Sequence, residues 1–251
     1  MGSRLSFSVS AVGGNGTATR VDVPVDTLII AGWAGRDRDA VEHHIAELAA
    51  LGVRRPSSTP CFYRLSPALL SQDEAIDVVG QTSSGEAECV LVRHGDALLV
   101  SVGSDHTDRE VEAYGVTVSK QICAKPVARD AWHLADVAAH WDRLELRSWV
   151  TCAGKRRLYQ EGTVAGLLAP RELMARLEAG AGAGAGAVGI DGAVAAGSVG
   201  GLRSGAAMFC GTLAAIGGVA GGERFEIELH DPVLDRTIRH GYVTQALAIA
   251  D

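Results

Sequence analysis

The sequence predicts a β-rich α+β fold in which strands carry the architecture and a few helices are peripheral insertions. Period-two alternation recurs from the start, in RLSFSVSAV and TRVDVPVDTLIIAGW, the signature of strands with one buried face. Strand-like runs come in pairs around short glycine turns, as in AECVLVRHGDALLVSVG. The helical segments do not alternate regularly with strands, so a parallel, doubly wound α/β sheet is not expected.

Taken in order, residues 1–24 read as an opening hairpin that turns at GGNGT. In RDRDAVEHHIAELAALGV, Val41, Ile45, Leu48 and Leu51 recur at helical spacing, Gly52 is a stop signal and Pro56 lies just beyond. That pattern predicts a helix over 36–52. SPALLSQDEA reads as a loop with a short helical turn, and IDVVG, AECVLV, ALLVSVG and GVTVS as strands. DAWHLADVAAHWDRLEL reads as a helix from Asp130, RSWVTCAGKRRLYQEGTV as a hairpin, and APRELMARLEAG as a helix with Pro170 near its first turn. A Gly/Ala-rich loop over 179–200 precedes closing strands in AAMFCGTLAAIGGV, RFEIELHDPVL and RTIRHGYVTQALAI. Residues 1–251 are read as a single domain.

The chain carries 23 Lys and Arg against 30 Asp and Glu, a net charge of -7, which argues against a nucleic-acid binder. Its short basic cluster, GKRR at 154–157, reads as an exposed turn between strands rather than a phosphate patch. The longest uncharged stretch, Ser204 to Gly222, is too rich in glycine for a membrane helix, and the N-terminus lacks an apolar export core. Five cysteines without C-x-x-C spacing suit buried thiols in a reducing compartment better than a disulfide framework. A soluble cytoplasmic protein with no membrane partner is expected.

The chemistry-bearing residues begin with SSGEAECVLV, which puts Glu86 and Glu88 at i and i+2. On a strand both point to one face, about 7 Å apart by the strand rise, so water or a cation must separate their charges. Asp105, in SVGSDHTDREVE, ends the next strand. If the two strands pair through RHGDA, it lies past the start of the first, near Glu86. Three carboxylates there form an oxygen-ligand set for a hard divalent ion, Mg²⁺ above all; the glutamate pair alone reads equally well as a solvated face. In the same stretch His106 and Glu112 read as surface residues, and Asp108 as a solvated neighbour or a substrate contact.

His44 and Glu47 stand at i and i+3 in EHHIAEL and so face the same way on a helix. They suit a base and its orienter, or an exposed contact; His43 points elsewhere. Lys120, after a β-like run, sits in solvent unless a metal lies nearby, where it would steady developing negative charge. Gly211 and Thr212 let backbone approach a ligand while a hydroxyl donates. Two rivals carry less. GAGAVG at 184–189 matches a dinucleotide glycine pattern but follows a helix instead of a strand. His133, Asp136 and His140 share one face of the expected helix and read as packing rather than metal ligands.

Seven stretches stand in an order that resembles the fumarylacetoacetate hydrolase superfamily: HIAE (His44, Glu47), TPCFYR, GEAE (Glu86, Glu88), SDHTDRE, SKQICAKP (Lys120, Pro126), YQEG (Gln160) and CGTL (Gly211, Thr212). The likeness spans roughly residues 25–245 and is greatest to an uncharacterised branch. It implies a mixed β-sandwich or roll with one divalent cation, Mg²⁺ or in its place Mn²⁺ or Ca²⁺, on Glu86, Glu88 and Asp105. It further implies a lid helix bearing His44 and Glu47, and Arg109 bracing a metal-binding carboxylate. Lys120, Thr212, Gly211, Gln160 and Arg64 would meet a small oxo-carboxylic acid, and the protein would be a homodimer. The implied activity is hydrolysis of a carbon–carbon bond in a 2-oxo or 1,3-dioxo acid of acylpyruvate or fumarylpyruvate type. Decarboxylation, hydration or isomerisation on the same site is the alternative, and a non-catalytic binder the contrasting class. The family's N-Y-x-x-H lead-in is RDAVEHH here, Leu213 replaces the proline after G-T, and Asp108 replaces an alanine, so the substrate itself does not carry over.

Overall fold

The computed structural model describes residues 2–10, 18–50, 53–181, 201–248 and 250. The expected GGNGT turn, the Gly52 stop, GAGAVG and nearly all of the 179–200 loop lie outside them. Along the chain come β1 (Ser3–Ser10), β2 (Thr19–Val25), β3 (Thr27–Gly32), α1 (Arg38–Ala50), β4 (Cys61–Leu65), β5 (Leu70–Ser71), β6 (Ala75–Val79), β7 (Ser83–Ser84), β8 (Ala87–His94), β9 (Ala97–Ser104) and β10 (Thr107–Asp108). Then follow α2 (Arg109–Tyr114), α3 (Val116–Gln121), β11 (Lys125–Pro126), β12 (Asp130–His133), α4 (Leu134–Val137), β13 (Glu145–Cys152), β14 (Lys155–Thr163), α5 (Pro170–Ala181), β15 (Ala206–Thr212), β16 (Arg224–Asp231) and β17 (Arg236–Leu247).

Eight strands make the main sheet, in the order β2-β1-β12-β9-β8-β15-β3-β4, and five more make a second sheet, β14-β13-β16-β17-β6. Leu5 and Val23 from one end of the main sheet share a core with Leu28, Ile30 and Leu65 from the other, so the sheet curls into a roll around its own apolar face. Its opposite face packs Ile29, Leu91 and Met208 against Leu146, Ile227 and Leu229 of the second sheet. The middle strand β8 is therefore covered on both sides: Ala87, Cys89 and Leu91 enter one core, Val90 and Val92 the other. This is the strand-rich, curled architecture expected of a fumarylacetoacetate-hydrolase-like fold.

The hairpin β8–β9 sets up the functional end of the roll. Its register runs from His94↔Ala97 to Ala87↔Ser104, with Gly95 and Asp96 as the turn. Gly95 has φ 56, the positive φ that a two-residue primed turn requires and glycine adopts without steric cost. Continuing the register one step places Asp105 opposite Glu86, and the Asp105 amide donates to the Glu86 carbonyl at 2.9 Å.

Two segments differ from the sequence expectation. GVTVS, with its alternating valines, is not a strand but enters α3, which buries Ser119 and Lys120. Local β preference is weak beside the burial of a lysine that finds a carboxylate. The expected helix from Asp130 is instead β12, α4 and a 3₁₀ turn broken at His140. The chain at Asp130–His133 fills the gap between β1, which it pairs in parallel, and β9, which it pairs antiparallel; closing that gap outweighs the local helical pattern. No helix among the described residues is long and apolar enough to cross a membrane, and all five cysteines are free.

Candidate metal centre

Glu86, Glu88 and Asp105 converge where β8 begins and β9 ends, offering carboxylate oxygens that all lie within 4.8 Å of one another. Glu88 and Asp105 are buried, and Glu86 is half-buried. Pleating explains the first pair: Glu88 shares its face of β8 with Val90 and Val92, the face lining the inside of the roll. One Glu88 oxygen accepts from the Gly211 amide at 2.7 Å. Gly211 has φ 93, and a Cβ there would lie 2.8 Å from the Ala34 Cβ, so only glycine can bring this amide to the carboxylate.

Cations surround the three acids. Lys120 Nζ donates to Asp105 Oδ2 at 2.5 Å. Lys125, fully buried in β11, lies 3.2 Å from Asp105 Oδ1 and also donates to the His106 carbonyl. Arg109 Nη2 is 2.9 Å from Glu86 Oε1, while its Nε donates to Ser84 and its Nη1 to Glu112. Arg109 thus pairs with both Glu86 and Glu112, so Glu112 is not an isolated surface charge.

Burial opposes charge on every one of these groups, and the neighbours decide which keep it. Burial, then the like charges of Asp105 and Glu86, push the Glu88 carboxyl well above its ordinary range. Asp105 is equally buried, yet Lys120 and Lys125 bring it down to about 2. The Lys120 ammonium is held above its ordinary range against burial by Asp105 and Glu86. Lys125 is lowered, chiefly by burial.

His106 is not the surface residue its charged neighbours suggested. It is fully buried, with its two ring nitrogens 2.9 Å from Tyr242 Oη and Ser83 Oγ, and burial followed by the charges of Lys125 and Arg109 lowers it to about 3. Tyr242 Oη also lies 2.7 Å from Ser104 Oγ, so a neutral network of side chains backs the strand end that carries Asp105. Asp108 gains a local role: its Oδ1 accepts from the Glu110 and Val111 amides, both at 3.0 Å, an N-cap for α2.

Other sequence candidates lie at varied distances from this centre. Gln160 is buried and saturated: Oε1 accepts from the Ala87 amide and Ser148, and Nε2 donates to Thr212 Oγ1 and the Leu213 carbonyl. With its full capacity used inside the protein, the amide ties β14 to β8 and β15 and has nothing left for a substrate. Thr212 Oγ1 donates to the Ala87 carbonyl at 2.9 Å, beside the strand that bears Glu88. Arg64 lies on the edge strand β4. It donates to the Asp26 carbonyl at 3.3 Å, whereas its neighbour Tyr63 turns to the other face of β4 and places its ring 6.0 Å from Lys120 Nζ. The strand alternation that hid this is period two, so a one-residue choice inverts the face.

His44 and Glu47 are exposed on α1, 3.5 Å apart, and His43 also reaches Glu47, at 3.3 Å. His44 packs on Trp33, with ring centroids 5.9 Å apart, and Trp33 Nε1 donates to Tyr63 Oη at 3.0 Å. Trp33, Tyr63 and Lys125 are residues of this region that sequence reading passed over, while His106 reads from the sequence as a surface residue. AKP, with a second lysine five residues after Lys120, was the available signal for Lys125. His133, Asp136 and His140 do not share a helical face, and His140 instead bonds Asp231 at 2.9 Å.

The donor set fits a divalent ion. All three acids are carboxylates, the donors that hard cations require, and Asp105 Oδ1, which accepts no hydrogen bond beside the Lys125 ammonium at 3.2 Å, has a lone pair left that a cation would use.

Comparison with known proteins agrees at the level of the fold. Cg1458 superposes with a TM-score of 0.56 at 13% identity, over 92% of this chain and 84% of that one. A 2-keto-3-deoxy-D-arabinonate dehydratase complexed with magnesium and 2,5-dioxopentanoate superposes with a TM-score of 0.55 at 12% identity, over 89% and 74%. No curated protein matches the chain in sequence. Residues 31–242 match the family described as "Protein of unknown function (DUF2848)", and the chain belongs to that family.

Proposed function

We propose that the protein is a divalent-metal-dependent enzyme of the fumarylacetoacetate hydrolase superfamily that acts on a 2-oxo carboxylic acid. Its leading reaction is hydrolysis of a carbon–carbon bond in a substrate of acylpyruvate or fumarylpyruvate type. The observation that carries this reading is the meeting of Glu86, Glu88 and Asp105 oxygens within 4.8 Å, next to the Lys120 ammonium. A bound Mg²⁺, or Mn²⁺ or Ca²⁺ in its place, would supply a Lewis acid and a template for the carboxylate and adjacent oxo group.

The chain's own groups account for the rest. His44, oriented by Glu47, takes a proton from water, whose oxygen adds to the distal carbonyl carbon. The bond between that carbon and the oxo-acid fragment breaks, and its electron pair stays with the fragment. Lys120 steadies the resulting negative charge, and the proton held by His44 passes to the fragment.

A second reading, dehydration of a 2-keto-3-deoxy acid, draws on the dehydratase that shares the fold and binds magnesium with 2,5-dioxopentanoate. The exposure of His44, at 62% of its side chain, also favours it, since a lyase needs no activated water. One assay separates the readings: purified protein with Mg²⁺ against acetylpyruvate, oxaloacetate and 2-keto-3-deoxy-D-arabinonate, with products identified by mass. Two fragments plus the elements of water support hydrolysis, loss of water supports the lyase, and affinity without product supports a non-catalytic binder. Absence of divalent-ion binding overturns all three. The same reading takes the protein as a single-domain cytoplasmic homodimer that binds no nucleic acid; light scattering checks the dimer.

A further inference from the structure

Lys125 takes no part in the chemistry proposed above, yet it is built into the carboxylate centre. It opens β11, whose two residues pair in parallel with β5, and its side chain is fully buried. The ammonium is held from two directions: it donates to the His106 carbonyl and lies 3.2 Å from Asp105 Oδ1. The other Asp105 oxygen takes Lys120 at 2.5 Å. Neither ammonium can turn to water, since Lys120 is buried as well. A divalent ion drawing on the free lone pair of Asp105 Oδ1 would therefore share that oxygen with a fixed positive charge. With all three acids ionised, Glu86, Glu88 and Asp105 against Lys120 and Lys125 leave one net negative charge, and Arg109 and Glu112, paired at 2.9 Å, cancel. A divalent ion would make the centre singly positive, and uncompensated charge in a buried setting is costly. One carboxylate restores neutrality.

We infer that Lys125 keeps the centre from holding a divalent ion tightly by itself, so that the ion binds together with the substrate's carboxylate and oxo group, as the chelate of a 2-oxo acid. The inference rests on the proposed oxo-acid reading. Lys125 acts here through Asp105 and is a positioning residue. Its removal leaves the empty centre doubly negative, and the ion alone then brings it to neutrality. A lysine that merely anchored Asp105 would do the opposite: its loss would misplace a ligand and weaken the ion's binding. Coupling between two bound ligands is reciprocal, so Mg²⁺ must raise the affinity for the oxo acid by the same factor as the acid raises that for Mg²⁺.

The test titrates full-length protein with Mg²⁺, alone and in saturating pyruvate, and reads Kd by calorimetry and by the Mg²⁺ dependence of Tm. In wild type, pyruvate should tighten Mg²⁺ binding at least about tenfold, within the usual range of coupling between two ligands. Lys125→Met should bind Mg²⁺ alone about tenfold more tightly than wild type, the low end of what one neighbouring charge does to an ionic equilibrium, and gain correspondingly less from pyruvate. Lys125→Gln, which is neutral and keeps an N–H donor, should show the same shift if Lys125→Met fails to fold. Equal Mg²⁺ affinity with and without pyruvate in wild type, or Mg²⁺ binding no tighter in a folded Lys125 variant, overturns the inference and leaves the metal reading standing. Wild type that binds no Mg²⁺ under either condition overturns the metal reading, and the inference with it.

Discussion

Replacing Glu88 by Gln should move stability in opposite directions with and without a divalent ion. Carboxylate oxygens within 4.8 Å repel by about 3.5 kcal/mol per ionised pair at an effective dielectric of about 20. Burial, then the charges of its two neighbours Asp105 and Glu86, push the Glu88 carboxyl up against the opposing pull of Lys120 and the Gly211 amide. An acid whose folded pKa exceeds its unfolded value subtracts stability above the unfolded pKa, so at neutral pH Glu88 is a cost to the metal-free fold. Gln keeps an acceptor for the Gly211 amide and can donate to a neighbouring carboxylate. Setting one attraction of like size to Lys120 against the two repulsions leaves a net gain of about 3.5 kcal/mol, or about 7–14 °C in Tm for a chain of this size. Mg²⁺ at a hundred times its Kd should stabilise wild type by about 2.7 kcal/mol and the variant by less than about a third of that. Thermal melts in EDTA and in Mg²⁺ measure both. A variant less stable than wild type in EDTA, or one that keeps the full Mg²⁺ shift, would refute the reasoning.

Other perturbations probe separate links. His44→Ala should leave the Mg²⁺-induced shift intact and lower kcat for carbon–carbon hydrolysis by about 10²-fold or more; undiminished hydrolysis removes His44 as the base. Lys120→Met leaves buried Asp105 with Lys125 alone and should cost about 3 kcal/mol in EDTA. An unchanged denaturation midpoint would contradict that ion pair. Away from the centre, burial opposes ionisation of Asp231, but the His140 bond and the Leu234 and Val233 amides hold its pKa below the ordinary value. A depressed carboxyl contributes stability above its unfolded pKa near 3.8 and loses it as pH falls through the lower folded value. Asp231→Asn should therefore destabilise at pH 6 and converge on wild type as pH falls from 3.8 through the folded value; a Tm difference that stays constant on acidification would show that charge is not the cause.

The carboxylate triad is legible in the chain itself because two local rules suffice for it. Period-two alternation sets Glu86 and Glu88 on one face, and a two-residue turn at Gly95–Asp96 leaves one register, which carries Asp105 to Glu86. The β-rich class, α1, α5 and the β13–β14 hairpin are legible for the same reason: periodicity and turn residues are local. The face taken by Tyr63 and Arg64 is not, since β4 is an edge strand whose two sides are told apart only by what they meet across the roll. Nor is the helix of α3, whose alternating valines point to a strand until Lys120 is seen buried against Asp105.

By itself, then, the sequence determined which residue types recur at strand and helix spacing, and with them the acid set for a hard cation. Only the tertiary structure decided what surrounds that set: Lys125 and His106 buried behind it, Gln160 saturated beside it, and Tyr63, bonded to Trp33, with its ring facing Lys120. The reason is physical. Alternation and turn geometry act between residues a few positions apart, whereas desolvation and ion pairing depend on neighbours the chain brings together from distant positions.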